Sequence, residues 1–184
     1  MIPALVAKTD GLPVGRFPCE VDEVRAAFVD AYPTSSRRPK VWDDWLQATA
    51  LLQLHVPVKV AWLGGSFFTG KLEPDDIDSV YWAEDCDIDA AAANPVSAQI
   101  ITMFQRQLLK AQGVQVDSFL LPWRSNPEAF SRGPLDVQHY RDRGYWDDLW
   151  CRMRSGPKGS PHVRLDSIPR RGYLEVNLDG FPER

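Results

Sequence analysis

The sequence predicts an α/β (α+β) fold, a mixed β-sheet flanked by helices within one domain. Three observations predict it. Short apolar runs at 58–63, 77–82 and 114–121, with an alternating run at 171–178, have the length and composition of strands. Stretches with apolar residues three and four apart lie before and between them, at helical period. The chain has 184 residues, enough for one sizeable core. By this reading residues 1–57 form N-terminal helices, 58–123 the core, and 124–184 a C-terminal helix and strand.

In order, residues 1–15 carry Pro3, Gly11, Pro13 and Gly15 and read as an irregular lead-in. A helix is expected over about 19–31, with Val21, Val24 and Phe28 on one face, stopped by Pro33. A second covers about 40–54, where Val41, Trp45, Leu46, Thr49 and Leu52 trace a stripe that Pro57 ends. The strand at 58–63 delivers the chain to Gly64-Gly65-Ser66, and 77–82 is the next strand. Residues 85–95 read as a loop with alanines. A helix over about 96–111 follows, closed by Gly113. The strand at 114–121 sets Val114, Val116 and Ser118 on one face and Asp117 with Phe119 on the other. After a loop at 122–133 comes a long helix, 135–153, weakened at Gly144. A flexible turn at 155–161 leads to the last strand, in which Leu174, Val176 and Leu178 alternate with Glu175 and Asn177.

Bulk properties exclude several classes. Hydrophobic residues make up 44% and charged residues 25%, as in an ordinary globular protein, and the net charge of -4 gives no overall attraction to nucleic acid. Charge is uneven, however. Residues 141–171 hold eight Lys and Arg against four Asp and Glu, either a basic face or simply a solvated helix surface. The three cysteines, Cys19, Cys86 and Cys151, form no C-x-x-C, so neither a disulfide framework nor a zinc knuckle is expected, and a reducing cytoplasm is. The N-terminus lacks the basic start and apolar run of a signal peptide. The most apolar segment is broken by His55, Pro57 and Lys59, so no membrane span is expected.

Two phosphate signatures overlap in Leu63 to Val80, LGGSFFTGKLEPDDIDSV. Gly65 to Lys71 spells G-x-x-x-x-G-K, yet the hydroxyl that should follow the lysine is Leu72, and Pro74 opposes the helix a P-loop must open. The second signature is Gly65-Ser66, nine residues, then Asp76-Ile77-Asp78. A two-residue step on a strand points both aspartates one way. Two like charges about 4 Å apart cost roughly 4 kcal/mol at an effective dielectric of 20, unless a cation neutralises them. Magnesium suits such hard oxygen donors. The glycines let backbone N–H groups approach a phosphate, and Ser66 adds a hydroxyl.

This pattern resembles the nucleotidyltransferase superfamily typified by DNA polymerase β, whose motif is G-[GS], about ten residues, D-x-[DE], and a third acid on a later strand. Here the third acid is Asp117, within VQVDSF. More closely, GGSFFTGKLEPDDID is similar to a bacterial family of minimal nucleotidyltransferase-like proteins with a G-S-F-x-T-x-K-x-x-P-x-D-I-D core. The resemblance implies a nucleotidyltransferase-like sheet. It implies Asp76, Asp78 and Asp117 as catalytic ligands of Mg²⁺ or Mn²⁺, and Gly65 and Ser66 as contacts of an NTP such as ATP. Lys71 either neutralises phosphate or is an exposed turn lysine, and Asp75 reads as a turn residue. The implied reaction moves a nucleoside monophosphate to a hydroxyl of tRNA, a protein or a small molecule. A toxin or defence role, with a partner such as an antitoxin, is implied by resemblance alone.

Other readings stay beside this one: a non-catalytic nucleotide sensor or complex subunit of the same fold, and an RNA-binding module using the basic C-terminal segment. Arg124, Arg141 and Arg143 are candidates for the triphosphate clamp. Asp85-Cys86-Asp87-Ile88-Asp89 starts like an EF-hand loop but has Ala90 where Gly is needed and Val96 where Glu is needed. His55, His139 and His162 lack i, i+4 partners. Trp42, Trp45, Trp146 and Trp150 have mostly helical spacing, which reads as core.

Overall fold

A five-stranded mixed sheet organises the chain into one α+β domain. The computed structural model describes residues 1–128, 130, 133–157 and 159–178. Its strands are β1 (Gly15–Cys19), β2 (Val58–Gly64), β3 (Ile77–Glu84), β4 (Val116–Trp123) and β5 (Gly172–Asn177). Their spatial order is β1-β5-β2-β3-β4. β1 with β5 and β3 with β4 are parallel pairs, while β2 runs antiparallel to both β3 and β5.

Alternation along the strands makes two cores. Leu63, Ile77, Tyr81, Val116 and Leu174 face one side. There they pack beneath α1 (Val21–Arg25, continued by a π-helical turn Ala26–Asp30), α2 (Arg37–Gln53), α3 (Asp85–Ala92) and α4 (Pro95–Gln105). Trp42 and Trp45 of α2 lie in this core with ring centroids 4.7 Å apart, as their spacing predicts. Val60, Trp62, Val80, Trp82 and Tyr173 face the other side, where Trp146 and Trp150 of α5 (Pro134–Cys151) cover them. Among the described residues no helix is long and apolar enough to cross a membrane.

The structure corrects the expected elements at four places. The lead-in ends in a strand: Gly15–Cys19 is β1, and the helix begins only at Val21, with Glu20 and Glu23 exchanging N-terminal contacts. Pairing with β5 stabilises GRFPC as a strand despite its Gly and Pro. The alanine-bearing loop at 85–95 is largely helix, α3. Alanine is the best helix former, and Asp85 and Asp87 lie in the first turn, where negative charge meets the helix dipole. The helix expected over 96–111 stops at Gln105, because Gln107 takes a positive φ of 57° and redirects the chain into a separate 3₁₀ turn, Lys110–Gln112. The third strand starts at Val116 rather than 114.

Candidate active site

β3 and β4 are parallel neighbours with Asp78 opposite Asp117, so both carboxylates stand on the α5 face at the same end of the sheet. Asp76 immediately precedes β3, while Ile77 between the two aspartates is buried in the opposite core, as the spacing requires. Lys110, carried by the turn after α4, joins the group. Its Nζ lies 2.6 Å from Asp76 Oδ2 and 3.2 Å from Asp117 Oδ2. Asp78 is the most enclosed of the three. Burial first, then the charges of Asp76 and Asp117, push its pKa up from 3.8 to about 6, against the opposing pull of Lys110 and Arg171.

The Gly-Ser turn is built around Asp78. Gly64 pairs with Asp78 across β2 and β3, and Gly65 then takes φ +87°. A Cβ on Gly65 would lie 1.9 Å from Asp78 Oδ2, so glycine is required twice, by conformation and by space. Ser66 opens a 3₁₀ turn, Ser66–Phe68, and stays partly exposed beside the carboxylates.

Beyond it the loop is fastened to α2. Arg38 is fully buried and donates to the carbonyls of Phe28, Phe67, Thr69 and Lys71. Glu73 accepts from the backbone N–H groups of Ser36 and Arg37, capping α2 from a distant segment, and these bonds hold its carboxyl below the usual range. Lys71 is tied to Asp75 at 3.0 Å, and Asp75 also pairs with Arg37. The structure therefore gathers Asp76, Asp78, Asp117, Gly65 and Ser66 and leaves Lys71 on an exposed turn.

Two of the expected basic partners, Arg124 and Arg143, lie elsewhere, and Arg141 is exposed on α5. Arg124 follows the far end of β4 and bridges Asp85 and Asp136. Seven strand residues, roughly 23 Å at 3.3 Å per residue, separate it from Asp117. Arg143 sits over the Trp123 ring at that same far end, 4.8 Å from its centroid. Arg171, just before β5, is the guanidinium beside Asp78. Burial lowers its pKa, while Asp78 raises it. With Asp78 it lines a cleft of about 350 Å³ that also includes Arg152, Arg154 and His162. A broader depression of about 750 Å³ along α5, near Arg16 and Arg143, contains none of the three aspartates.

Carboxylates are the donors a hard divalent cation such as Mg²⁺ or Mn²⁺ prefers. The raised pKa of Asp78, due first to burial and then to the charges of Asp76 and Asp117, includes a repulsion that a cation would relieve. The Lys110 ammonium now stands between Asp76 and Asp117 in the role of that cation. Among the described residues no three His, Cys, Asp or Glu side chains are spaced to hold a metal. A divalent ion held by these carboxylates would have to displace Lys110, whose side chain is 40% exposed, and draw the three side chains closer together.

Sequence reasoning missed Lys110, Arg38 and Arg171. The excess of basic residues over 141–171 was the one available signal for the cleft. No curated protein and no solved structure matches the chain. Residues 6–177, which span the sheet, the turn and the three aspartates, match the Family of unknown function (DUF6932), and the chain belongs to that family.

Proposed function

We propose that the protein is a divalent-metal-dependent nucleotidyltransferase that moves a nucleoside monophosphate from an NTP to an acceptor hydroxyl. The hydroxyl belongs to tRNA, a protein side chain or a small molecule. One observation carries this reading: Asp76, Asp78 and Asp117 gather beside a glycine-serine turn that exists only because Gly65 lacks a side chain. Asp76, Asp78 and Asp117 would hold Mg²⁺ or Mn²⁺, which when bound neutralises phosphoryl charge and acidifies a hydroxyl. Ser66 and the backbone N–H groups of its turn orient the phosphates. Asp117, on the edge strand β4, accepts a hydrogen bond from the incoming hydroxyl and aligns its oxygen with the α-phosphorus. That oxygen bonds to phosphorus as the bond to pyrophosphate breaks, and the hydroxyl proton leaves through a carboxylate oxygen. Lys110, once displaced, remains nearby as a tethered cation for the leaving phosphates.

The test supplies each labelled NTP with magnesium and a pool of total RNA and cell lysate as acceptor. Label should pass to an acceptor with the wild type and fail with Asp78→Asn and Asp117→Asn. Equal transfer by the variants, or no transfer from any NTP, sinks the proposal. The Lys110 ion pairs favour one second reading, a non-catalytic nucleotide sensor or complex subunit in which the lysine permanently replaces the metal. Binding of an NTP that is indifferent to magnesium would select it.

A further inference from the structure

The cleft beside Asp78 has a chemistry of its own. Arg152 and Arg154 reach it from the residues just after α5, Arg171 from the start of β5, and His162 from the intervening loop. Trp150 forms its apolar wall, and the indole Nε1 of this buried residue has no hydrogen-bond partner. That N–H lies 3.1 Å from where a Cβ on Gly64 would stand, and Gly64 is the strand partner of Asp78. The orphan donor therefore sits at the same end of the sheet as the carboxylates. The N–H is covered by its packing on Gly64, so a ligand oxygen reaches it only when the Trp150 ring shifts. That contact then recovers the roughly 1–3 kcal/mol that a buried donor without an acceptor costs.

The features that oppose an anion here are the end of α5 and two carboxylates, Asp78 and Asp166, and each already has a partner of opposite sign. The last carbonyls of α5 carry the negative end of the helix dipole. Cys151 O accepts from the N–H groups of Arg170 and Arg171, and Trp150 O accepts from Arg171 Nε. Asp166, the other acid of the cleft, accepts from Ser155 N, Ser155 Oγ and Val163 N, which hold its pKa at about 2, and its charge is met by His162 at 3.6 Å and Arg170 at 3.9 Å. Among the described residues, Arg152 pairs with Asp148 and Arg154 donates to the Ser160 carbonyl, each through a terminal guanidinium nitrogen.

We propose that this cleft is an anion site for a chain of phosphates, with Arg152, Arg154 and Arg171 as its cations and Trp150 Nε1 as its neutral donor. The site deepens the nucleotidyl-transfer reading by naming where phosphates rest, but it requires no metal. Its ligand is the oligophosphate of a nucleotide or the backbone of a single strand, which present the same oxygens.

Titration in EDTA, followed by tryptophan fluorescence and calorimetry, tests it with inorganic tripolyphosphate, ATP and a short single-stranded RNA, against sulfate at matched ionic strength. Tripolyphosphate should bind saturably. Arg154→Gln and Trp150→Phe, which keeps an aromatic ring but removes the N–H, should each weaken it about tenfold, the size of one charge-assisted hydrogen bond. Competition by ATP at lower concentration than tripolyphosphate assigns the site to a nucleotide. Competition by RNA with a steep salt dependence assigns it to a strand. Absence of saturable binding by all three, or affinities unchanged in both folded variants, overturns the proposal. Because metal is absent, a failure of nucleotidyl transfer leaves this binding untouched, and a loss of this binding leaves any magnesium-induced stabilisation untouched.

Discussion

Asp78 titrates near pH 6 in the metal-free protein and near 3.8 in the unfolded chain. A carboxyl with a raised folded pKa contributes stability below the unfolded value and loses it as pH rises through the folded value, because the native state holds the proton longer. The window is therefore pH 3.8 to about 6, and above it the charged group costs on the order of 2–3 kcal/mol. In EDTA, Asp78→Asn should melt higher than the wild type near neutral pH, and the two should converge below about pH 4. Calorimetry across that range checks it, and a variant no more stable at neutral pH would mean that Asp78 is not the strained group. Arg38 predicts the opposite sign. Arg38→Met keeps the aliphatic stem but strips partners from the carbonyls of Phe28, Phe67, Thr69 and Lys71. A loss of about 3–5 kcal/mol is expected, from several buried carbonyls left without donors at roughly 1–3 kcal/mol each. Hydrogen exchange at residues 66–71 should quicken before the strands open. A destabilisation under about 1 kcal/mol would show that water replaces the guanidinium easily.

The Gly-Ser turn links β2 to the site, and its geometry makes a pairwise prediction. Gly65→Ala suffers both a positive φ and a 1.9 Å approach to Asp78 Oδ2. The conformational part, about 1 kcal/mol, belongs to the turn, while the clash belongs to the pair. Gly65→Ala should therefore cost distinctly more in the wild type than in Asp78→Ala, with a coupling of about 1 kcal/mol or more in a denaturation cycle. Additive costs would place the Asp78 carboxylate away from the turn. The elements that build this site were the legible ones. β2, β3 and β5 announce themselves by short apolar or alternating runs, and the G-S and D-x-D spacing survives because it reflects one turn and one strand. β1 was illegible because GRFPC becomes a strand only through a partner more than 150 residues downstream. Lys110 was hidden by Gln107, whose positive φ nothing in its chemistry foretells. The Arg124 candidate failed through topology: β4 runs parallel to β3, so a residue after β4 lies a whole strand away from the aspartates.

At the scale of the molecule, the native state alone assembles the three aspartates, so a ligand that neutralises them stabilises the entire fold. Magnesium should raise the melting temperature, and magnesium with an NTP should raise it further, each ligand adding roughly 2.7 kcal/mol of stability at a hundredfold excess over its Kd. Asp78→Asn should abolish both shifts, and a wild-type melt indifferent to millimolar metal and nucleotide would count against the metal site. The strand order bears on how the protein is made. β5 is the last strand in the chain, yet it lies between β1 and β2 and pairs with both. A ribosome thus emits β1 through β4 before the strand that unites them, and during that interval the inner edge of β2 has no native neighbour. Exposed apolar edges of this kind recruit chaperones or other chains. Nascent chains stalled before Gly172 should accordingly remain protease-sensitive and chaperone-bound, with resistance arriving in one step once β5 clears the exit tunnel.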